Sequence, residues 1–431
     1  MNIDELTDDI TTTYCELYDD ENDISTDKIK KLSGATERLN NLLRKRLKTT
    51  EQKSTNKNSV CYVCKTKLTN EQTIHKLNNN MCSTCVDINY KKRTVTCDLT
   101  GKIAIITGGR VKIGYETSKK LLLSGCTVIV TSRFVDDCLS RYQKEEKYDE
   151  FKSRLTIYQL NMLNYNKVCE FIKYIHKKFT KIDILINNAA QTIKRPYKFY
   201  EHMLTNRIDT SKDDENNIVA RDDNDCKYLK DNNNKNNNLT FNNGTNNCDK
   251  NDIYECTRID DFEKIFPIDK YDEFGQQIDL RKVNSWILEI DDVDVKELLE
   301  VYCINTIIPF VLCGAFKNLM KRDKDEYTWI VNVSSMEGVF NWRNKPSTHP
   351  HTNMAKAGLN MMTRTCGKYY IKENIVMISV DTGWNNSQYP CTYDIKTPLD
   401  CIDGASRILY PIYKKIIRHS VLYKNYVVND W

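Results

Sequence analysis

From about residue 100 onward, short β-branched apolar runs alternate with longer stretches of three-to-four-residue apolar spacing. The runs near 103–107, 127–131, 154–159 and 182–187 read as strands, and 113–124, 135–146 and 164–179 read as helices. After a polar interval the pattern resumes with a helix over 295–320 and a strand over 328–333. A helix over 350–371, a strand over 375–380, a helix over about 400–417 and a final strand near 420–423 follow. Alternation at these lengths predicts an α/β fold, a parallel sheet with helices on both faces.

The rest of the chain breaks this pattern. Residues 1–55 form an arm in which Ile29, Leu32, Leu39, Leu42, Leu43 and Leu47 recur at helical spacing over 25–48, ending in the basic RKRLK. That is an amphipathic docking helix, with membrane-surface binding as the lesser alternative. Residues 56–97 form a small module holding a compact cysteine cluster, and 98–431 form the main domain. Within it, residues 205–260 are polar, acidic and rich in asparagine, which occupies ten of the nineteen positions from 232 to 250. Such a segment cannot bury enough apolar surface to offset its ordering entropy, so it reads as a disordered surface insertion.

Composition narrows the class. At 431 residues and net charge +5, with basic residues scattered among 59 acidic ones, charge gives no reason to expect a nucleic-acid partner. No window approaches the roughly 18 uninterrupted apolar residues of a membrane span. The acidic, polar start MNIDELTDDI lacks the features of a signal peptide. The expectation is a cytoplasmic protein whose 17 cysteines are thiols or metal ligands.

Two constellations carry chemistry. In KIAIITGGRVKIG (102–114) an apolar run meets Thr107, Gly108 and Gly109, and Gly114 opens a helix. Backbone N–H groups at such a helix start bind phosphate, and glycines let the backbone approach a pyrophosphate. The second strand ends at Ser132-Arg133 with no carboxylate. A carboxylate there would take the 2′-hydroxyl of NAD, whereas Arg133 suits the 2′-phosphate of NADP. Arg110 and Lys112 add positive charge to the turn. The second constellation is Cys61-x-x-Cys64 with Cys82-x-x-Cys85: two knuckles presenting four thiolates, the pattern of a structural zinc site. A redox pair is the lesser reading, and His75 and Cys97 are substitute ligands that a four-thiolate site does not need. The module is too small for a core of its own without metal, and its expected role is docking onto the main domain, another subunit or a partner protein.

Four segments in order carry a resemblance: TGGRVKIG (107–114), INNAAQT (186–192), INTIIPF (304–310), and IVNVSS (330–335) with MAKAGLNMMTR (354–364). The stretch from about Asp98 to Trp431, without the insertion, resembles the short-chain dehydrogenase/reductase superfamily. The resemblance implies a Rossmann domain with a seven-stranded parallel sheet and hydride transfer between NAD(P)(H) and an alcohol/carbonyl pair. It places Thr107, Gly108, Gly109, Arg110, Ile113, Gly114, Asn187 and Ala189 along the cofactor, and Gly383 of VDTGW in the loop over the nicotinamide. Asn161 stands at the position of an adenine-contacting aspartate. Asn305 matches an asparagine that holds a proton-relay water, Ser335 a serine that binds the substrate oxygen, and Lys356 a lysine on the nicotinamide ribose.

The departures matter equally. The family's tyrosine lies four residues before its lysine, on the same helix face, and here that position is Thr352. A threonine hydroxyl is a poor proton donor. Lys112 replaces the second turn glycine, and Thr382 the usual proline. His349 and His351 flank the vacant position, and His351 is the first candidate for the missing acid/base, against a bland capping or packing role. Two functions compete: an NADP(H)-dependent oxidoreductase acting on a small carbonyl or alcohol, and a non-catalytic NADP(H)-binding protein whose zinc module contacts partners.

Overall fold

In the computed structural model the described residues are 60–68, 80–205, 219–220, 259–323, 326–342, 345–391, 393 and 395–431. The arm 1–55 therefore lies outside them, as does His75. The chain divides into two compact units, Met1–Val86 and Asp87–Trp431.

The second unit is the sheet domain. In chain order its elements are α1 (Ser83–Arg93, entered from the first unit), β1 (Ile103–Thr107), α2 (Lys112–Leu123), β2 (Thr127–Ser132), α3 (Val135–Gln143), β3 (Leu155–Gln159), α4 (Tyr165–Lys178), β4 (Ile184–Asn187) and β5 (Val219–Ala220). There follow α5 (Val295–Tyr302), α6 (Ile308–Met320), β6 (Thr328–Ser334), α7 (Pro350–Tyr370), β7 (Ile375–Asp381), α8 (Cys401–Tyr413), β8 (Leu422–Lys424) and β9 (Val427–Asn429). The sheet order is β5-β3-β2-β1-β4-β6-β7-β8-β9, parallel throughout except for β8 against β9.

The alternation of side chains along β1 builds both layers. Ala104 and Ile106 face one core with Val128, Val130 and Val331, covered by Leu121 and Leu122 of α2, Leu139 and Tyr142 of α3, and Ile408 and Leu409 of α8. Ile105 faces the other with Ile129, Leu185 and Ile330, covered by Phe171 and Ile175 of α4, Leu312 and Phe316 of α6, and Leu359 of α7. Chain order reverses at β1, which has β2 on one side and β4 on the other. The carboxyl ends of these strands form the crevice where open α/β sheets take their ligands.

The α/β fold stands as expected, with corrections. The sheet has nine strands, not about seven, because Val219–Ala220 adds an edge strand beside β3 and β9 closes a hairpin on β8. The first of these lies inside the segment expected to be disordered. That segment ends in a short helix, Ile259–Ile265, which begins before residue 260. The remainder of 205–260 lies outside the described residues. The expected helix over 295–320 is interrupted at its middle by a π-helical turn, Cys303–Ile307. By length and composition Val295–Met320 would also suffice to cross a membrane; here Ile308, Leu312, Phe316 and Met320 are buried in the core instead.

Candidate active site

The glycine turn is shaped by neighbours that leave no alternative to glycine at two positions. A Cβ at Gly114 would lie 2.1 Å from the Gly108 carbonyl oxygen and 2.4 Å from Asn188 Nδ2. Gly108 has φ +73° and sits against Ala189. Asn188 Nδ2 donates to the carbonyls of Thr107 (3.0 Å) and Gly108 (3.1 Å), while Thr107 Oγ1 accepts the backbone N–H of Asn188 and Ala189 (3.0 Å each). The turn is thus clamped from the end of β4. Lys112 holds φ +56°, the left-handed conformation that the replaced glycine would adopt freely. Val111 caps α2 without any side-chain hydrogen bond, so the first-turn N–H groups receive no side-chain partner from the cap. Ile113 packs on Gly404 of α8 and fixes the helix from behind.

Asn187 is buried at the end of β4. Strand alternation turns its side chain into the sheet, where Nδ2 donates to Asn332 Oδ1 (2.8 Å) and lies 3.4 Å from Cys313 Sγ. Asn332 continues to Thr363, which accepts from Ser379 Oγ, a buried polar rung through β4, β6, α7 and β7. The residue that serves the turn is Asn188, one position further on. The doubled asparagine marked the place, but not which of the two faced the crevice.

At the end of β2, Ser132 Oγ is engaged locally with the backbone of Phe134, and Asn161 Oδ1 accepts from Leu163 N (3.1 Å). Arg110 is buried and bonded to Asp137 Oδ2 (2.6 Å) and Gln276 (3.3 Å), and it shares that carboxylate with Arg141 (2.8 Å). Arg133 differs. Its guanidinium lies 4.7 Å from the ring centre of Tyr200 and 5.1 Å from that of Phe134. Burial raises the Tyr200 phenol, but the guanidiniums of Arg133 and Arg195 outweigh it and lower its pKa. Sequence gave no signal for Tyr200 or Arg195. Both guanidiniums stand close to the Tyr200 phenol, and Arg195 is also paired with Asp279 Oδ2 (3.2 Å).

At the other end of the crevice, Ser335 follows β6 in extended conformation, half-buried. His351, Thr352, Ala355 and Lys356 are buried residues of α7. Lys356 Nζ donates to Val333 O (2.8 Å), and burial, eased by Glu337, brings its pKa down to about 8. Thr352 Oγ1 is buried without a hydrogen-bond partner. Gly383, at φ +80°, donates its N–H to Asp381 (2.8 Å). Asn305 lies in the π-turn, yet its Oδ1 accepts from Gln191 N and its Nδ2 donates to Gln191 O (2.8 Å each). Its side-chain amide is bonded on both sides to that loop.

The two histidines separate cleanly. His349 caps α7 with φ +46°, stacks on Trp286 at 4.0 Å and 3°, and its Nδ1 meets Trp286 O at 2.7 Å. It is a packing residue. His351 is 2 % exposed, neither ring nitrogen has a partner at full hydrogen-bond geometry, the Thr192 backbone stands near enough to raise its pKa, and Glu297 Oε1 lies 4.0 Å from Nε2. Burial, then His349, lower its pKa to about 4, well below the nominal histidine value.

In the first unit, Cys61, Cys64, Cys82 and Cys85 gather their sulfurs within 4.8 Å of one another, with Cys64 and Cys82 at 3.6 Å. Burial, with Cys61 and the other thiolates, raises Cys82 to about 11 and Cys85 further, while hydrogen bonds from Thr66, Cys61 and Cys82 outweigh burial and lower Cys64 to about 7.

Comparison with known proteins is consistent with this geometry. A family model, short chain dehydrogenase, matches residues 102–210. Uncharacterized protein R665 of Acanthamoeba polyphaga mimivirus is 29 % identical over 373 residues, covering 82 % of this chain and 71 % of that one. The (+)-neomenthol dehydrogenase of Capsicum annuum is 32 % identical over 92 residues, 21 % of this chain and only 29 % of that enzyme. Among solved structures, the NADPH-bound carbonyl reductase from chicken fatty liver has a TM-score of 0.47 at 16 % identity, over 77 % of this chain and 100 % of that one. The family match supports the short-chain dehydrogenase/reductase superfamily, an oxidoreductase class with a nucleotide-binding core.

Proposed function

We propose that the protein is an NADP(H)-dependent oxidoreductase acting on a small carbonyl or alcohol, working in a reducing compartment such as the cytoplasm. The observation that carries this reading is the crevice between β1 and β4. At one end is a glycine turn whose close contacts forbid side chains, before a helix start without a side-chain cap. At the other are a half-buried Ser335 and a buried lysine. The cofactor, when bound, supplies or accepts hydride at its nicotinamide C4. The first turn of α2 would receive its pyrophosphate, Arg133 with Tyr200 and Arg195 its 2′-phosphate, and Lys356 its nicotinamide ribose. Ser335 would hold the substrate oxygen, and His351 would exchange the proton that the tyrosine handles elsewhere in the family. Asn161, Ser132 and Gly383 line this path through their backbone. Because His351 is neutral near pH 7, it acts first as a proton acceptor, in alcohol oxidation.

The test is a turnover screen of carbonyls and alcohols with NADPH and NADP. Ser335→Ala is expected to lose at least tenfold in turnover while keeping its NADPH affinity. Tight NADPH binding with no hydride moved on any compound would favour the second reading, a non-catalytic binder. The buried, unpartnered Thr352 hydroxyl would then be its physical basis.

The four cysteines fit zinc by donor chemistry and size. Four sulfurs at about 2.3 Å from a common centre stand about 3.8 Å apart, against the 3.6 Å between Cys64 and Cys82. A dication also offsets the burial and mutual repulsion that raise Cys82 and Cys85. One zinc per chain is expected from elemental analysis of purified protein. Full occupancy in a Cys61→Ser, Cys82→Ser double variant would exclude these ligands.

A further inference from the structure

Resting on the oxidoreductase reading, we propose that Glu297 is the positioning residue for His351: it holds Nε2–H and so presents the unprotonated Nδ1 to the substrate hydroxyl. The two residues belong to different helices, α5 and α7, and both are almost fully buried, at 1 % and 2 % exposure. A buried imidazole with no full hydrogen bond, and only the Thr192 backbone close to it, is expensive to maintain unless something meets it in the working state. Glu297 is the carboxylate in reach, at 4.0 Å. It is itself anchored, since Oε1 accepts from Ser285 Oγ (2.5 Å) and Lys194 N (2.7 Å). Loose contacts of this length tighten when substrate completes a site.

The neighbouring charged groups have partners of their own. The Lys194 ammonium is bonded to Glu300 (2.8 Å) and Arg281 to Asp279 (2.6 Å), and His349 is committed to Trp286. Arg281 acts on Glu297 through its charge. Glu297 is thus the group placed to balance an imidazolium.

The step balances. The alcohol C–H bond breaks with its electron pair passing to the nicotinamide, the O–H proton passes to Nδ1 of His351, and the C–O bond becomes C=O. His351 then carries a positive charge beside the Glu297 carboxylate. The same dyad run backwards serves reduction.

Long-range nitrogen–proton NMR of the imidazoles in the full chain reads the pairing directly. At pH 7 the His351 ring is expected in its Nε2–H form. Glu297→Gln keeps an oxygen for Ser285 and Lys194, but should lower the His351 pKa and remove the tautomer preference. In turnover, Glu297→Gln should cut kcat at least tenfold and shift the acid limb of the oxidation profile to lower pH, with KM for NADP unchanged. An Nδ1–H ring in the unaltered protein, or identical ring titration in Glu297→Gln, overturns the proposal. Should the variant not fold, the tautomer of the unaltered protein decides. If the NMR pairing holds while no substrate turns over, the pairing stands and the oxidoreductase reading fails.

Discussion

Gly114→Ala is expected to remove cofactor binding almost completely. The added methyl would stand 2.1 Å from the Gly108 oxygen and 2.4 Å from Asn188 Nδ2. Neither neighbour is a flexible side-chain tip: Gly108 donates its N–H to Thr131 O (3.1 Å), and Asn188 is tied to the turn by both its amide and its backbone. The turn must open, breaking the clamp that aims the first N–H groups of α2. Overpacking of this kind costs about 1–3 kcal/mol or more. The misaligned phosphate contacts should add a loss of roughly a hundredfold in NADPH affinity, some 2.7 kcal/mol. Calorimetric titration with a melting curve measures both. An alanine variant that binds NADPH normally would show that the phosphate lies elsewhere.

The second large effect is chemical. His351→Ala should lower turnover by roughly two to four orders of magnitude, the span for losing a general acid or base, whereas Thr352→Ala should cost far less. The pH profile carries a sign. With the imidazole lowered to about 4 by burial and His349, oxidation requires its neutral form, so the rate is full at neutrality and falls as pH drops through about 4. Reduction requires the protonated form, held by about one molecule in a thousand at pH 7, and should fall as pH rises above about 4. The nominal histidine value near 6.5 would put this transition higher; burial and His349 bring it down. A full-rate His351→Ala variant would move the proton elsewhere, and the Asn305 amide, bonded twice to Gln191, is not free to take it.

What the sequence made legible was local or periodic. The β1–turn–α2 unit needed only a β-branched run, closely spaced glycines and a helical pattern in one window, and the strands that follow have apolar runs of their own. Val219–Ala220 escaped because two residues make no run, and its pairing with β3 is tertiary. Asn187 and Asn188 differ by one step of strand alternation, which decides core against crevice, and that phase is set by where β4 ends. Arg110 looked like a phosphate ligand, but it is buried against Asp137 of another helix, a carboxylate it shares with Arg141. Glu297 had no sequence signal at all: one of two acids on an amphipathic helix, it gains its meaning only when α5 and α7 pack.

The most direct measurement of the central claim is a calorimetric titration of the full chain with NADPH and with NADH. Arg133, unopposed by any carboxylate ending β2, and its neighbours Tyr200 and Arg195 predict NADPH at least tenfold tighter, a difference of about 1.4 kcal/mol, with Arg133→Ala erasing the preference. Equal affinities, or no binding of either nucleotide, would contradict the account.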